Sequence, residues 1–390
     1  MRPEYQLIFS CARTRYSKSD RDRILELLDR DLDWNLIIQL VGYHGLTSLF
    51  CWTLQQFPDL INPRQLQPLQ AAFKENTCRN LYLTQELIKI ARLFEQHNIP
   101  TLAFKGPVLA QLGYEHFGLR EFVDLDILVP ETAVHQASEV LREQGYLPQF
   151  NFATWQERRY LQIRSEHNFY SSKKDISIDL HWSIIPKYFS FHQEPERIWN
   201  NPEYRDTVTL GRQTIVTLSR EALLLFLCAH SSKHDWSHIC WVCDIAQLLH
   251  QYPELNWDWI EREVGNLGTQ MMLELGLWLA YAYFDAPVPD RILSQLQNNS
   301  KIAELTRTIE SEWFAIETAS SSRFLIGTIY VQTMQSWRDR LWYWLDYVAT
   351  PTPLEWDLIQ LPNWLFSLYY PLRLLRLLWK YRPQRSLNNR

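Results

Sequence analysis

The chain of 390 residues has little glycine, 11 in all, and its six cysteines, at positions 11, 51, 78, 228, 240 and 243, follow no regular spacing. The first shortage excludes a collagen-like or low-complexity chain, and the second leaves no disulfide framework of the kind that staples small secreted domains. Positive charge is not in excess either: 39 Lys and Arg stand against 44 Asp and Glu, a net charge of −5. General binding to duplex nucleic acid, which needs many phosphates neutralised, is therefore not expected. No apolar run reaches the roughly 18 residues that a membrane-crossing helix requires. The opening MRPEYQLIFSCARTRY lacks a basic start, an apolar stretch and a small-residue cleavage site. These absences lead to the expectation of a cytoplasmic protein with reduced thiols.

Apolar and aromatic residues are plentiful: 46% of the chain is hydrophobic, 14% aromatic and only 21% charged, with 17 Trp. Such a composition implies a helix-rich globular chain with an aromatic core, long enough for two or three domains at about 150 residues each. Apolar steps of three and four from Asp20 to about Gln96 predict helices, broken by Pro58, Pro63 and Pro68. NIPTLAFKG then PVLAQLGYE reads as strand, tight turn and helix. VDLDILVP alternates with a period of two and stops at Pro130, and a helix from about Glu131 to Gln144 ends at Gly145. HNFYSS and DISIDLHWSI read as paired strands about the turn residues SSKKD. After a loop-rich stretch near 190 to 215, helical pattern begins at REALLLFLCAHSSKH and runs to the end, with loops at PVPD and TPTP. A small α/β core at about 97 to 185 is thus expected between helical flanks.

The D-x-D of Asp124 and Asp126 places two carboxylates on one strand face, about 7 Å apart along the backbone. Like charges so close repel, so a half-buried pair calls for a metal ion or basic partners. Asp179, on the second of the paired strands, would complete an oxygen-rich site for one or two Mg²⁺. A lone D-x-D also fits the solvent face of an edge strand, and the basic residues upstream weigh against that. Lys105 and the Gly106 backbone amide lie at a helix start, with Pro107 suited to its first turn, which makes an anion cradle. Arg120, shortly before the D-x-D, has the guanidinium fork that takes phosphate bidentately.

In order and approximate spacing, LAFKGPVLAQLGY, GLREFVDLDILVP and EHNFYSSKKDISIDLHWSI resemble three blocks of a known family. These are the KG, R-x-x-x-D-x-D and hydrophobic-Asp-Leu-His-Trp blocks of the uncharacterised bacterial nucleotidyltransferases of the DNA polymerase beta-like superfamily. The resemblance covers roughly residues 30 to 250. It implies an α+β fold with a small mixed-sheet nucleotidyltransferase core at 97–190, between an N-terminal helical region at 1–96 and a C-terminal one at 191–390. It further implies that Asp124 and Asp126 bind two Mg²⁺ (or Mn²⁺) bridging a nucleoside triphosphate, ATP by default. Asp179 would hold the catalytic metal and help deprotonate an acceptor hydroxyl, with Lys105, Gly106 and Arg120 at the nucleotide. The superfamily's usual Gly-Ser at the first turn is Lys105-Gly106 here, which removes the serine's phosphate contact. His181 matches the third block and is expected to pack beside the sheet.

A second polar cluster, AHSSKHDWSHICWVCD, spaces His230, His234 and His238 by four, one face of a continuous helix. Zinc on two of them with Cys240 and Cys243 is weakly indicated by a single C-x-x-C, and the His234-Asp235 pair falls short of a metal-dependent phosphohydrolase signature. Packing against the core is the plainer reading, with His234, Lys233 or Asp244 facing the active-site cleft. LPNWLFSLYYPLRLLRLLWKYRPQR, interrupted by Pro371, resembles an amphipathic segment able to touch a membrane surface, although such stripes more often pack on a domain. The expected activity is Mg²⁺-dependent transfer of a nucleoside monophosphate from a triphosphate to a hydroxyl, with release of pyrophosphate. A non-catalytic nucleotide-binding scaffold of the same fold and a phosphohydrolase using the histidines are the alternatives. The acceptor stays open among protein, metabolite, sugar and RNA.

Overall fold

The computed structural model describes residues 1–152, 154–184, 195–314 and 328–380. The chain enters through α1 (Pro3–Cys11), α2 (Lys18–Leu28), α3 (Trp34–Tyr43) and α4 (Thr47–Leu54), followed by the 34-residue α5 (Pro63–Gln96). Their starts follow from local chemistry. Ser17 and Asp20 form a reciprocal capping box at α2, Asp33 caps α3, and Asn62 with Pro63 opens α5. The break expected at Pro68 does not occur, and α5 runs through it. An interior proline costs a helix about 3 kcal/mol. Burial of Leu66, Leu69, Leu83, Leu87, Ile90 and Phe94 outweighs this, at about 1.5–3 kcal/mol for each fully buried side chain.

The five-stranded sheet has the order β1 (Leu102–Ala103), β2 (Asp124–Leu128), β5 (Ile176–His181), β4 (Glu166–Ser171), β3 (Leu147–Pro148). Between these strands the chain forms α6 (Gly106–Tyr114), α7 (Val134–Glu143) and α8 (Thr154–Ile163). β2 pairs parallel with β5, while the other neighbours are antiparallel, so the sheet is mixed as expected. The register sets Asp124 opposite Ser177 and Asp126 opposite Asp179, and β4 adds Asn168 opposite Asp179 and Glu166 opposite His181. Because successive strand side chains alternate, Leu125, Ile127, Phe169, Ile178 and Leu180 fill the other face, where all are fully buried.

Beyond the sheet, α9 (Pro195–Asn200) precedes a hairpin of β6 (Arg205–Leu210) and β7 (Gln213–Leu218). The stretch expected to be loop-rich is therefore partly sheet, and residues 190–194 of it lie outside the described residues. RDTVTL and QTIVTL carry the β-branched alternation of strands, and the two-residue turn uses Gly211 at φ +62°, a conformation that costs glycine little. Helices follow: α10 (Arg220–Lys233), α11 (Ile239–Gln251), α12 (Trp257–Leu267), α13 (Gln270–Phe284), α14 (Asp290–Leu296), α15 (Ser300–Phe314) and α16 (Thr328–Thr333), then α17 (Trp337–Ala349), α18 (Pro353–Leu358) and α19 (Tyr369–Lys380).

α11 packs against α6 on one side and α13 on another, and buried side chains from Tyr5 to Tyr369 form one continuous core. Pro371 sits in the first turn of α19, where a proline is tolerated, and does not interrupt it. The helix turns Arg373 and Arg376 towards Glu355 and exposes Leu375, Leu378 and Trp379. The basic end of that segment, residues 381–385, lies outside the described residues. Among the described residues no helix is long and apolar enough to cross a membrane.

Candidate active site

α6 begins where the chain leaves β1, with Lys105 as its N-cap residue and Pro107 in its first turn. Gly106 has φ +48°, and a Cβ there would lie 3.3 Å from the Asp124 carbonyl oxygen. Glycine thus lets the start of α6 sit directly against the start of β2, which brings the helix's positive end to the carboxylates.

Asp126 is buried. Its Oδ1 accepts from Lys105 Nζ at 2.8 Å and lies 3.2 Å from His181 Nε2, while its Oδ2 has no partner. Burial by itself would push this carboxyl up, yet Lys105 and His181 hold it well below the ordinary carboxylate range. Asp124 faces the opposite balance, raised to about 6 by burial and by the Asp126 charge despite Lys105. Asp179 accepts from Asn168 Nδ2 at 2.6 Å and is raised by burial, with Asp126 adding to it and His181 opposing. His181 does more than pack beside the sheet. Its ring meets Phe104 edge-on, but its nitrogens lie between Asp126 and Glu166, with Nδ1 3.3 Å from a Glu166 oxygen.

Asp126, Asp179 and His181 present ligand atoms within 4.8 Å of one another, the one such group among the described residues. Asp124 stands two residues earlier on the same strand face. Carboxylate oxygens suit a hard divalent cation, and the unpartnered, buried Oδ2 of Asp126 is the atom such an ion would satisfy. The donor set therefore fits a divalent metal.

Arg120 reaches the wall of the same cavity, but its guanidinium is largely engaged within the protein. Its Nε and NH2 meet the two oxygens of Asp244 at 2.9 and 3.0 Å, and Tyr114 donates to the same carboxylate at 2.7 Å. Only NH1 is left without a partner. The bidentate face of the guanidinium is taken up by the protein, and the Arg120 carbonyl is further fixed by Asn80 on α5.

The histidine cluster does not ride on one helix. α10 ends at Lys233, and the chain turns through Asp235 and Trp236, both left-handed, before His238 starts α11. Their rings gather all the same, His230 against His234 at 4.7 Å and both His234 and His238 against Trp241. No zinc set forms among the described residues. Burial and the Asp244 charge push the Cys240 and Cys243 thiols up, which disfavours the thiolates that zinc needs. Asp235 accepts the Tyr330 backbone N–H, which commits the carboxylate of the His234-Asp235 pair elsewhere.

Most of these groups line a single cavity of about 560 Å³. It gathers Lys105, Gly106, Arg120, Asp124, Asp126 and Asp179, and with them His181, His230, Lys233, His234 and Asp244. Periodicity did not single out Glu166 and Asn168, although their alternation with buried His167 and Phe169 carries the signal for a shared face. Tyr43, the last residue of α3, and Gly45 just after it, far away in sequence, also reach the cavity wall and carry no such signal.

The model of a family described as uncharacterised nucleotidyltransferase matches residues 30–285. No curated protein matches the chain. Among solved structures, the chain is similar to a lincosamide antibiotic adenylyltransferase, LnuA, with lincomycin bound. That match has 19% identity and a TM-score of 0.30, covering 42% of this chain and 94% of the other. An antigenic nucleotidyltransferase-like protein from Paracoccidioides brasiliensis matches at 14% identity and a TM-score of 0.32, covering 52% and 96%.

Proposed function

Because the chain belongs to the uncharacterised nucleotidyltransferase family, we propose that it moves a nucleoside monophosphate from a triphosphate, ATP by default, to an acceptor hydroxyl in the cytoplasm. The observation that carries this reading is the convergence of Asp124, Asp126 and Asp179 from two paired strands on a cavity that also receives the basic start of α6. Asp124, Asp126 and Asp179, with His181 beside them, would hold Mg²⁺ or Mn²⁺, which supplies neutralisation of the charge that builds on the phosphoryl oxygens.

The protein's own groups do the rest by position and charge, as phosphoryl transfer requires. Lys105 and the first amides of α6 present a positive end to the triphosphate, and Gly106 permits close backbone approach. Arg120, fixed by Asp244, contributes its field and its remaining NH1. The Asp179 carboxylate, oriented by Asn168, takes the proton of the acceptor hydroxyl. The hydroxyl oxygen forms its bond to the α-phosphorus as the bond from that phosphorus to the bridging oxygen breaks. Pyrophosphate leaves with the electron pair of that bond, its charge met by Lys105.

The test is incubation with each α-labelled nucleoside triphosphate and Mg²⁺ or Mn²⁺, with and without cell extract. Label should reach an acceptor only when the carboxylates are intact, and full transfer by Asp124→Asn or Asp126→Asn overturns the assignment. One observation favours a second reading, a nucleotide-binding scaffold without turnover: Lys105 neutralises Asp126 internally. Thermal stabilisation by nucleotide without transfer to any acceptor would support it. Contact of α19 with a membrane surface is a separate reading, carried by exposed Leu375, Leu378 and Trp379, and liposome co-sedimentation tests it.

A further inference from the structure

We propose that a second cavity, sharing a wall with the first, is the acceptor subsite, and that it takes a small hydroxyl-bearing molecule with an oxyanion group. This rests on the nucleotidyl-transfer reading of the first cavity. The second cavity has a volume of about 440 Å³, and Glu166 and Lys233 line both spaces. The shared residues border the carboxylates: Glu166 lies 3.3 Å from His181, and Lys233 is attracted to both Glu166 and Asp179. A molecule in the second cavity therefore lies against Glu166 and Lys233, the two side chains that separate it from Asp179, the group assigned to take the acceptor's proton. A triphosphate held at the start of α6 approaches from the first cavity.

The charge of the second cavity selects an anion. Arg164, Lys233, Arg373 and Arg376 line it against Glu166. Behind Arg373 and Arg376 lies one further carboxylate, Glu355, to which both are paired. Four cations thus meet two carboxylates. Arg164 is the least committed, its guanidinium having no hydrogen-bond or ion-pair partner among the described residues. Burial pushes the Lys233 ammonium down despite Glu166, and Lys105 and Arg164 add to this, a crowding of positive charge that a bound anion relieves. Phe150, Tyr160 and Tyr347 add aromatic faces to a wall that is otherwise largely polar, with Gln149, Ser165 and Thr352. The volume suits a small molecule and is too small for a folded RNA or protein domain. Tyr347, Thr352, Arg373 and Arg376 come from the α17–α19 segment, so the last helices help to build the reaction site.

The experiment uses the full chain, saturated with Mg²⁺ and a triphosphate analogue whose α–β bridge is methylene, and titrates inorganic phosphate in one arm and acetate in the other by calorimetry. The analogue fills the first cavity, so the anion reports on the second alone. Phosphate or acetate should bind, and the stronger of the two identifies the oxyanion. Arg164→Gln should weaken that binding about tenfold or more, as expected for loss of a charged hydrogen bond. Arg164→Lys should recover part of it, and binding of the analogue itself should not change. Unaltered thermal unfolding of Arg164→Gln would show that the fold is kept. No anion binding to the loaded protein, or binding indifferent to Arg164, overturns the subsite while leaving nucleotidyl transfer standing. Arg164-dependent anion binding in a protein that transfers no nucleotide would uphold the subsite as an anion site and sink the transfer reading instead.

Discussion

Removing Asp244 should destabilise the protein more than any exposed ion pair could. The side chains of Arg120 and Asp244 are only 11% and 3% exposed, and their two contacts are near-ideal in length at 2.9 and 3.0 Å. Asp244→Ala leaves a buried guanidinium without its counter-charge and the Tyr114 hydroxyl without its acceptor. Breaking such a pair from one side costs about 3–5 kcal/mol. Tyr114→Phe removes one hydrogen bond to a charged group and should cost about 1.5–3 kcal/mol. Taking both charges away, in Arg120→Met with Asp244→Leu, leaves no buried charge unpaired, only the Tyr114 hydroxyl, and should recover at least half of the single-variant loss. Urea unfolding followed by tryptophan fluorescence measures all of these. A loss below about 1 kcal/mol in Asp244→Ala, or a double variant whose loss equals the sum of the singles, would refute the buried clamp. Arg120 would then be free for the phosphate contact that its place before the D-x-D suggests.

Four further outcomes are expected. Asp124→Asn and Asp126→Asn should each lower transfer by on the order of a thousandfold or more, since several kcal/mol of charge stabilisation is lost; comparable turnover in either variant contradicts the carboxylate roles. Direct Mn²⁺ binding without nucleotide, read by electron paramagnetic resonance, should weaken at least about tenfold in Asp126→Asn, and an unchanged affinity would remove Asp126 from the ligand set. Gly106→Ala forces a side chain into φ +48° within 3.3 Å of the Asp124 carbonyl, so it should cost about 1–2 kcal/mol and depress transfer; wild-type stability and rate would show that the close approach is unimportant. His44, held down to about 3 by burial, stays neutral in the folded chain while the unfolded chain protonates near pH 6.5. Relative to His44→Gln, wild-type stability should fall by about 1.4 kcal/mol per pH unit from about pH 6.5 towards 4, and a pH-independent difference would refute this.

The sequence carries the strand-borne carboxylates because alternation is a local property. VDLDILVP shows its two faces in eight residues, and SSKKD marks the turn between β4 and β5 by composition. Pairing partners are not local: nothing within β2 or β5 says that Asp126 will stand opposite Asp179, and the three carboxylates are joined in the sequence only by their chemistry and by the family resemblance. The commitment of Arg120 spans 124 residues and depends on where α11 docks. The end of α10 is unmarked for another reason. The chain turns at Asp235 and Trp236 without glycine or proline, held by the burial of Trp236 and by the Trp313 indole donating to its carbonyl. Pro68 fails in the opposite sense, a local breaker overruled by the apolar face of α5. The β6–β7 hairpin was legible in its β-branched alternation, but its two-residue turn at Gly211 is too brief to stand out in a polar stretch.

The parallel register between β2 and β5 governs how this chain can vary in length. One residue inserted or deleted within 176–178 reverses the phase of everything that follows on β5, sending Asp179 and His181 into the apolar layer and Leu180 to the cavity. The same event within the turn at 172–175 falls outside both strands of that pair. It shifts β4 against β5, and so moves Asn168 and Glu166, but leaves Asp126 facing Asp179. Length variation among relatives should therefore collect in the hairpin turn and stay out of the strand. An insertion there would retune the groups that support the carboxylates without dispersing the carboxylates themselves.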